Sequence, residues 1–201
     1  MESLTKWVLS AAARSIFKFK AFGSGSIIKP FCRRISGAKF VSIGANCFFG
    51  DGLVLIATDE LHGTRHQPSC VIGSGCVFGS DLTISCTTSI TIEDNVLASL
   101  RVFIGDSYHG YEDVGRPVIE QPMAGEAPIV IGEGSFLGIG SVILPGTRLG
   151  KRCYVGANCV VRGQFPDYTV IAAASGRAVK RYDPVEAKWT LELAHQRAFP
   201  E

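Results

Sequence analysis

The sequence predicts an all-β fold, a parallel β-helix, and two observations carry that prediction. From Ile131 to Val161 an aliphatic residue returns at every sixth position: Ile131, Leu137, Ile143, Leu149, Val155 and Val161. The fifth place of each interval holds a small residue: Ser135, Ser141, Thr147, Cys153 and Cys159. A period of six fits neither the 3.6 of a helix nor one isolated amphipathic strand, and fixed self-similarity marks a repeat architecture. Each hexad is then one short strand and one turn. Its aliphatic residue points into a narrow core, and only a small side chain fits the corner. Three hexads make one triangular coil, and successive coils stack as parallel strands about 4.8 Å apart.

Upstream the same spacing recurs at Ile43, Phe49 and Leu55, and at Ile72, Phe78 and Ile84. After a slip of two residues, Ile92, Ala98 and Ile104 keep it again. The spacing therefore predicts about five coils in a domain over residues 41–171. Two interruptions break it. One runs from Asp59 to Cys70. The other is a protruding loop, 106–128, that carries Gly110, Gly115, Pro117, Pro122, Gly125 and Pro128. Insertions leave a repeat stack as loops, and a loop this long in a compact domain points to function.

The flanks, 1–40 and 172–201, read as helical. From Glu2 to Lys20, Leu4, Trp7, Val8 and Ala11 fall at helical spacing, with Lys6, Arg14, Lys18 and Lys20 elsewhere. Two readings stay open: a helix that caps the exposed end of the first coil, or a basic amphipathic helix in peripheral contact with a membrane surface. At the other end, Asp183-Pro184-Val185-Glu186 reads as an N-cap, a first-turn proline and a capping-box acid. That pattern predicts a helix to about Arg197.

Composition agrees with one sizeable core: 201 residues, 46% hydrophobic and 19% charged. A net charge of +2 speaks against a nucleic-acid partner. No stretch is apolar enough to span a bilayer. Of the seven cysteines, Cys47, Cys76, Cys153 and Cys159 fall on the small place of a hexad. Free cysteine serves there as a compact hydrophobe, which together with the odd count suits a reducing cytoplasm.

The histidines are His62, His66, His109 and His195. His109 stands where the long loop leaves its coil, among Asp106, Tyr108, Tyr111, Glu112 and Asp113. An imidazole with carboxylate neighbours is poised to act as a general base near neutral pH. A histidine that simply hydrogen-bonds the loop is the other reading, and the residues alone leave the two open.

The run from Ile131 to Ala157, the Tyr108-His-Gly-Tyr-Glu-Asp113 stretch, Gln121-Pro122 and Pro128-Ile-Val-Ile-Gly132 resemble the hexapeptide-repeat acyltransferases. The similarity is to the branch of polysaccharide, maltose and xenobiotic acetyltransferases. It implies a left-handed β-helix, a homotrimer with its site between subunits, and acetyl-CoA as donor. It implies a cytoplasmic enzyme, at the inner face of the membrane if the N-terminal helix binds there. His109 would be the base, with Asp106 or a loop carboxylate holding its tautomer. Tyr108, Tyr111 and Gln121 would meet a saccharide acceptor. The pantetheine of the donor would lie against Gly140, Ser141 and Ala157, and its phosphates near Arg162, Arg177 and Lys180. The chain departs from the family at Ser107, where many relatives have a second histidine, and at Phe136, where tryptophan is common. It departs again at Ala173–Gly176, in place of Gly-Asn-Pro-Ala. Transfer to an antibiotic, N-acetylation of a nucleotide sugar and a non-enzymatic scaffold are the alternatives. A zinc carbonic anhydrase would need His62, His66 and His109 at one metal; no metal is expected.

Overall fold

The computed structural model describes residues 16–61, 63–172 and 177–191, and for residues 177–180, 182, 189 and 191 the backbone alone. The chain winds as a three-sided prism of short parallel strands. The first face is a 7-stranded sheet of Ala21–Phe22, Val41–Ile43, Ser69–Ile72, Ser89–Ile92, Ile129–Ile131, Arg148–Leu149 and Gln164–Phe165. The second begins at Ile27–Ile28 and runs through Phe48–Phe49, Val77–Phe78, Leu97–Ala98, Phe136–Leu137 and Tyr154–Val155 to Thr169–Ala172. The third holds Arg34–Ser36, Val54–Ala57, Thr83–Cys86, Phe103–Gly105, Val142–Ile143 and Val160–Val161.

Every hexad position read from the sequence lies on an inward ladder. Ile43, Ile72, Ile92, Ile131 and Leu149 are in register on the first face. Phe49, Phe78, Ala98, Leu137 and Val155 are in register on the second, and Leu55, Ile84, Ile104, Ile143 and Val161 on the third. All are buried, and each large aliphatic side chain contributes about 1.5–3 kcal/mol by leaving water. Phe49 and Phe78 stack with ring centroids 4.8 Å apart.

The small corner residues do more than fit. Ser26 Oγ donates to Gly44 O at 2.6 Å and Ser135 Oγ to Gly150 O at 3.1 Å. The thiols of Cys47, Cys76 and Cys153 donate likewise to Gly73 O, Glu93 O and Pro166 O, at 3.0, 3.2 and 3.2 Å. Each of these bonds reaches the next coil. Serine and cysteine stand there because the corner carbonyl below needs a donor as well as room.

The structure corrects the flanks. Coils begin at Ala21 rather than at residue 41, so 21–40 form an additional turn of the prism. The expected N-terminal helix falls largely on residues 1–15, which lie outside the described residues; Ile16 and Phe17 are helical, and the chain is extended by Ala21. Phe17, Phe19 and Phe22 pack ring against ring over the first coil's end of the core. At the C-terminal side Arg177–Asp183 and Lys188–Leu191 form an antiparallel hairpin on the second face, not a helix. The N-cap chemistry is present, since Asp183 Oδ1 accepts the N–H groups of Val185 and Glu186 at 2.9 and 3.2 Å. Those bonds hold its carboxyl below the usual range. The turn stops after Ala187, whose φ is 48°, because a free sheet edge offers residues 188–191 a ladder instead.

Candidate functional site

The edge between the third and first faces is where the repeat is broken. A hairpin of Glu60–Leu61 and Thr64–Arg65 leaves one coil there, and the 106–128 loop leaves another. Between them lies a coil that turns through Thr87 and Thr88 alone. Asp106, at the root of the long loop, is fully buried. Its Oδ1 accepts from the backbone N–H and hydroxyl of Thr87 at 2.8 and 3.0 Å, and its Oδ2 from those of Thr88 at 2.8 and 3.1 Å. Four charge-assisted bonds satisfy a carboxylate that would otherwise be costly to bury. Asp106 therefore fixes the loop root to the preceding coil; the expectation that it orients His109 is corrected. Nearby Cys70 is pushed up to about 12 by burial and then by the Asp106 charge, and burial pushes Cys86 up as well. These thiols stay protonated and are poor nucleophiles.

Beyond that root, Tyr108–His109 pairs antiparallel with Met123–Ala124, with His109 opposite Met123. Gly110 N donates to Pro122 O at 2.9 Å and Ala127 N to Asp106 O at 3.0 Å. The loop is thus a strapped β-ribbon with His109 on its outgoing arm, side chain exposed to solvent. The rings of Tyr108 and Tyr111 stack beside it with centroids 6.2 Å apart. Gly125 has φ +59°, and a Cβ there would overlap the Tyr108 ring, so a glycine is what lets the ring lie flat on the return arm.

Gln121 is not presented to an acceptor. It is buried, its Nε2 donates to Asp113 O and Arg116 O at 2.9 Å each, and its Oε1 accepts from Asp113 N at 3.1 Å. The amide folds the loop tip. Asp113 is also committed to that tip, accepting from Gly115 N and pairing with Arg116.

The residues expected to meet the donor lie elsewhere. Gly140, Ser141 and Ala157 sit on the edge between the second and third faces, across the third face from His109. Ser141 is buried and its Oγ has no partner among the described residues; Ala157 is exposed. Arg162 is exposed on the looped edge. Arg177 and Lys180 pair through their backbones with Ala172 and Val170, and their side chains are outside the described set. Within one chain the structure brings His109, Tyr108 and Tyr111 together, but not with Gly140, Ser141 and Ala157.

Sequence reasoning weighed His66 only as a metal ligand. Its Nδ1 lies 2.9 Å from Glu126 Oε1 of the long loop. Its place at the foot of the other interruption was the available signal. Among the described residues no three His, Cys, Asp or Glu side chains gather to hold a metal; His62 is outside that set.

Residues 128–163 match the bacterial transferase hexapeptide family of six repeats. An acetyltransferase by name from Mycobacterium tuberculosis is 30% identical over 148 residues, 66% of this chain and 49% of that protein. WbbJ of Escherichia coli, named for lipopolysaccharide biosynthesis O-acetyl transfer, is 35% identical over 130 residues, 58% of this chain and 66% of its own. The chain belongs to the hexapeptide-repeat acetyltransferase family. It spans about half the length of the mycobacterial relative. Among solved structures, a variant of AntD, an N-acyltransferase from Bacillus cereus, superposes with TM-score 0.71 at 17% identity, over 88% of this chain and 90% of that one. A hexapeptide-repeat acetyltransferase from Vibrio cholerae gives 0.57 at 22% identity, over 88% and 80%. These likenesses show the fold of this hexapeptide-repeat protein, and its parallel three-sided stack is consistent with the left hand that the family implies.

Proposed function

We propose that this hexapeptide-repeat protein transfers an acetyl group from acetyl-CoA to a hydroxyl of a sugar, in the assembly of a surface polysaccharide. The observation that carries the reading is the exposed His109 on a strapped ribbon, flanked by two stacked tyrosine rings. A flat aromatic pair beside a basic nitrogen suits a sugar ring that offers a hydroxyl. The longer sequence matches support O-transfer: WbbJ aligns over 130 residues, and a galactoside O-acetyltransferase of Lactococcus lactis over 142. Relatives named as tetrahydropyridine-dicarboxylate N-acetyltransferases align over only 66 to 69 residues, a third of the chain. A solved Vibrio cholerae relative holds acetyl-CoA, which supports that donor.

In the reaction, the imidazole of His109 takes the proton of the acceptor hydroxyl as its oxygen attacks the thioester carbonyl. A backbone N–H of a coil turn stabilises the oxyanion, which is usually the largest catalytic contribution. As the C–S bond breaks, the imidazolium returns its proton to the thiolate, leaving the acetyl ester and free CoA thiol. No enzyme acyl intermediate forms, in keeping with the thiols beside the loop root, Cys70 and Cys86, which burial keeps protonated.

The donor and acceptor residues occupy different edges of one prism, so a neighbouring copy is part of the proposal. Phe48, Val77, Leu97, Phe136 and Tyr154 form an outward ladder in register on the second face. All but the half-buried Phe136 are exposed. An apolar strip of this kind is a contact surface. A copy seated on it in a closed threefold ring would bring its looped edge alongside Gly140, Ser141 and Ala157. A monomer that keeps full transfer activity at micromolar concentration would refute the shared site. For the base, His109→Ala should lower turnover by about two to four powers of ten, with folding and acetyl-CoA affinity little changed. Turnover within a few-fold of the parent on a true acceptor would refute the assignment.

A further inference from the structure

Both excursions of the looped edge are tied to each other at one place. His66 N donates to Asp59 O at 2.9 Å and closes the short hairpin. The His66 side chain is 6% exposed, and its Nδ1 lies 2.9 Å from Glu126 Oε1, a carboxylate 32% exposed. Its Nε2 is buried with no partner among the described residues. The ring's orientation therefore depends on Glu126.

Glu126 belongs to a short return arm on which every other residue serves the His109 ribbon. Met123 pairs with His109, Ala124 with Tyr108, Gly125 lies beneath the Tyr108 ring, and Ala127 N donates to Asp106 O. Ala127 O accepts from Gly146 N at 3.2 Å, on the following coil. The arm is thus anchored to the coils above and below by its backbone, and to the neighbouring excursion by the side chain of Glu126.

We propose that His66 and Glu126 are a positioning pair that clasps the 106–128 loop to the 59–66 hairpin and so sets His109 and Tyr108 for the acceptor. The proposal rests on the reading of His109 as the base. Neither member of the pair is a catalytic residue; both act through the ribbon. The hairpin becomes a second wall of the acceptor pocket.

The test compares His66→Ala, Glu126→Ala and His66→Asn in the full chain, because an asparagine amide can replace Nδ1 as the partner of Glu126. Amide hydrogen exchange at Gly110 and Ala127 reads the ribbon without any activity assay. It should rise at least about tenfold in both alanine variants and return towards the parent in His66→Asn. Turnover should fall by about 10- to 100-fold in the alanine variants, the scale of a small misplacement of a catalytic group. KM for acetyl-CoA should stay unchanged, and His66→Asn should restore turnover. Unchanged exchange in both alanine variants, or an asparagine variant no better than alanine, overturns the clasp. Exchange that rises while turnover on a true acceptor holds overturns its link to His109. If the protein acetylates no sugar at all, the proposed activity fails, and the exchange result still decides the clasp.

Discussion

Along the edge between the second and third faces, successive coils turn in the same way. Gly52, Asp81, Arg101, Gly140 and Asn158 occupy equivalent corner places, all with φ between 56° and 77°. The N–H groups of the last four donate to Asp51 O, Ser80 O, Leu100 O and Ile139 O of the coil before, at 2.7 to 2.9 Å. Backbone meets backbone, and what these corners share is the left-handed conformation the residue must tolerate, although Asp81 also pairs with Arg33 at 2.9 Å on the surface. Along the edge between the third and first faces, consecutive coils differ: a hairpin, a bare Thr87-Thr88 turn, a long loop, then Pro145-Gly146. There the corners are held by side chains, Asp106 on two threonines, Gln121 on the loop tip, Thr147 Oγ1 on Leu144 O and Val161 O. One edge repeats because the backbone dictates it. The other can carry a site because individual side chains replaced the backbone rule.

That contrast is broken most severely by removing the irregular edge's main feature. Replacing residues 114–126 by a short Gly/Ser link takes away Gln121, the Met123–Ala124 arm and Glu126. The ladders above and below contain none of these residues, and altered loop length costs only on the order of 0.6 kcal/mol per doubling. The coil stack should therefore melt within a few degrees of the parent, while acceptor acetylation is lost and acetyl-CoA binding remains. Acetylation of the true acceptor at the parent rate would show that the loop is ornament. Loss of donor binding and of the oligomer together would show that it builds the assembly.

The regular edge and the ladders were legible before the structure because their cause is local and periodic: one inward residue in six, and a small one beside it. The coil at 21–40 escaped because Phe22 and Ile28 keep the spacing but Ile35 comes seven residues later, and one hexad is no pattern. The C-terminal hairpin escaped for a different reason. Asp183-Pro184-Val185-Glu186 encodes a turn's hydrogen bonds faithfully, yet whether a turn propagates as helix depends on the edge of the Arg177–Asp183 strand, which is in place only because that strand pairs with Thr169–Ala172 of the prism. On the irregular edge, proximity to His109 made Asp106 look like a site residue, and the family resemblance made Gln121 look like one. Both are polar groups consumed by the loop's own folding, and a polar residue that builds a site is indistinguishable in sequence from one that lines it.

The next largest effect separates those two roles. In Asp106→Ala, the two backbone N–H groups and two hydroxyls of Thr87 and Thr88 lose their common acceptor within the core edge. Leaving buried donors unsatisfied costs roughly 1–3 kcal/mol each, and partial rescue by water makes about 3–5 kcal/mol the expected loss of stability. Asp106→Asn should recover only part, because an amide N–H then faces a donor. Urea unfolding of the two variants measures this directly. A loss under about 1 kcal/mol in both, with turnover reduced a hundredfold or more, would return Asp106 to the chemistry.

The smallest effect probes the regular edge alone. Arg101 holds φ 56° while its N–H donates to Ser80 O, so the side chain contributes little except the cost of the left-handed conformation, about 1–2 kcal/mol for a residue with a Cβ. Arg101→Gly keeps the N–H and removes that cost, but gives the unfolded chain more freedom to lose, about 0.5–1 kcal/mol. The two terms partly cancel, and stability should rise by about 0–1.5 kcal/mol. Arg101→Val keeps the Cβ, adds branching that the left-handed region tolerates poorly, and should be about 1–2 kcal/mol less stable than the parent. Acceptor KM should follow the parent in both, since neither touches the looped edge; acetyl-CoA affinity is read separately, because Gly140 N donates to Leu100 O beside Arg101. If glycine proved clearly destabilising, or valine harmless, the corner would depend on the arginine side chain. The regular edge would then be built like the irregular one.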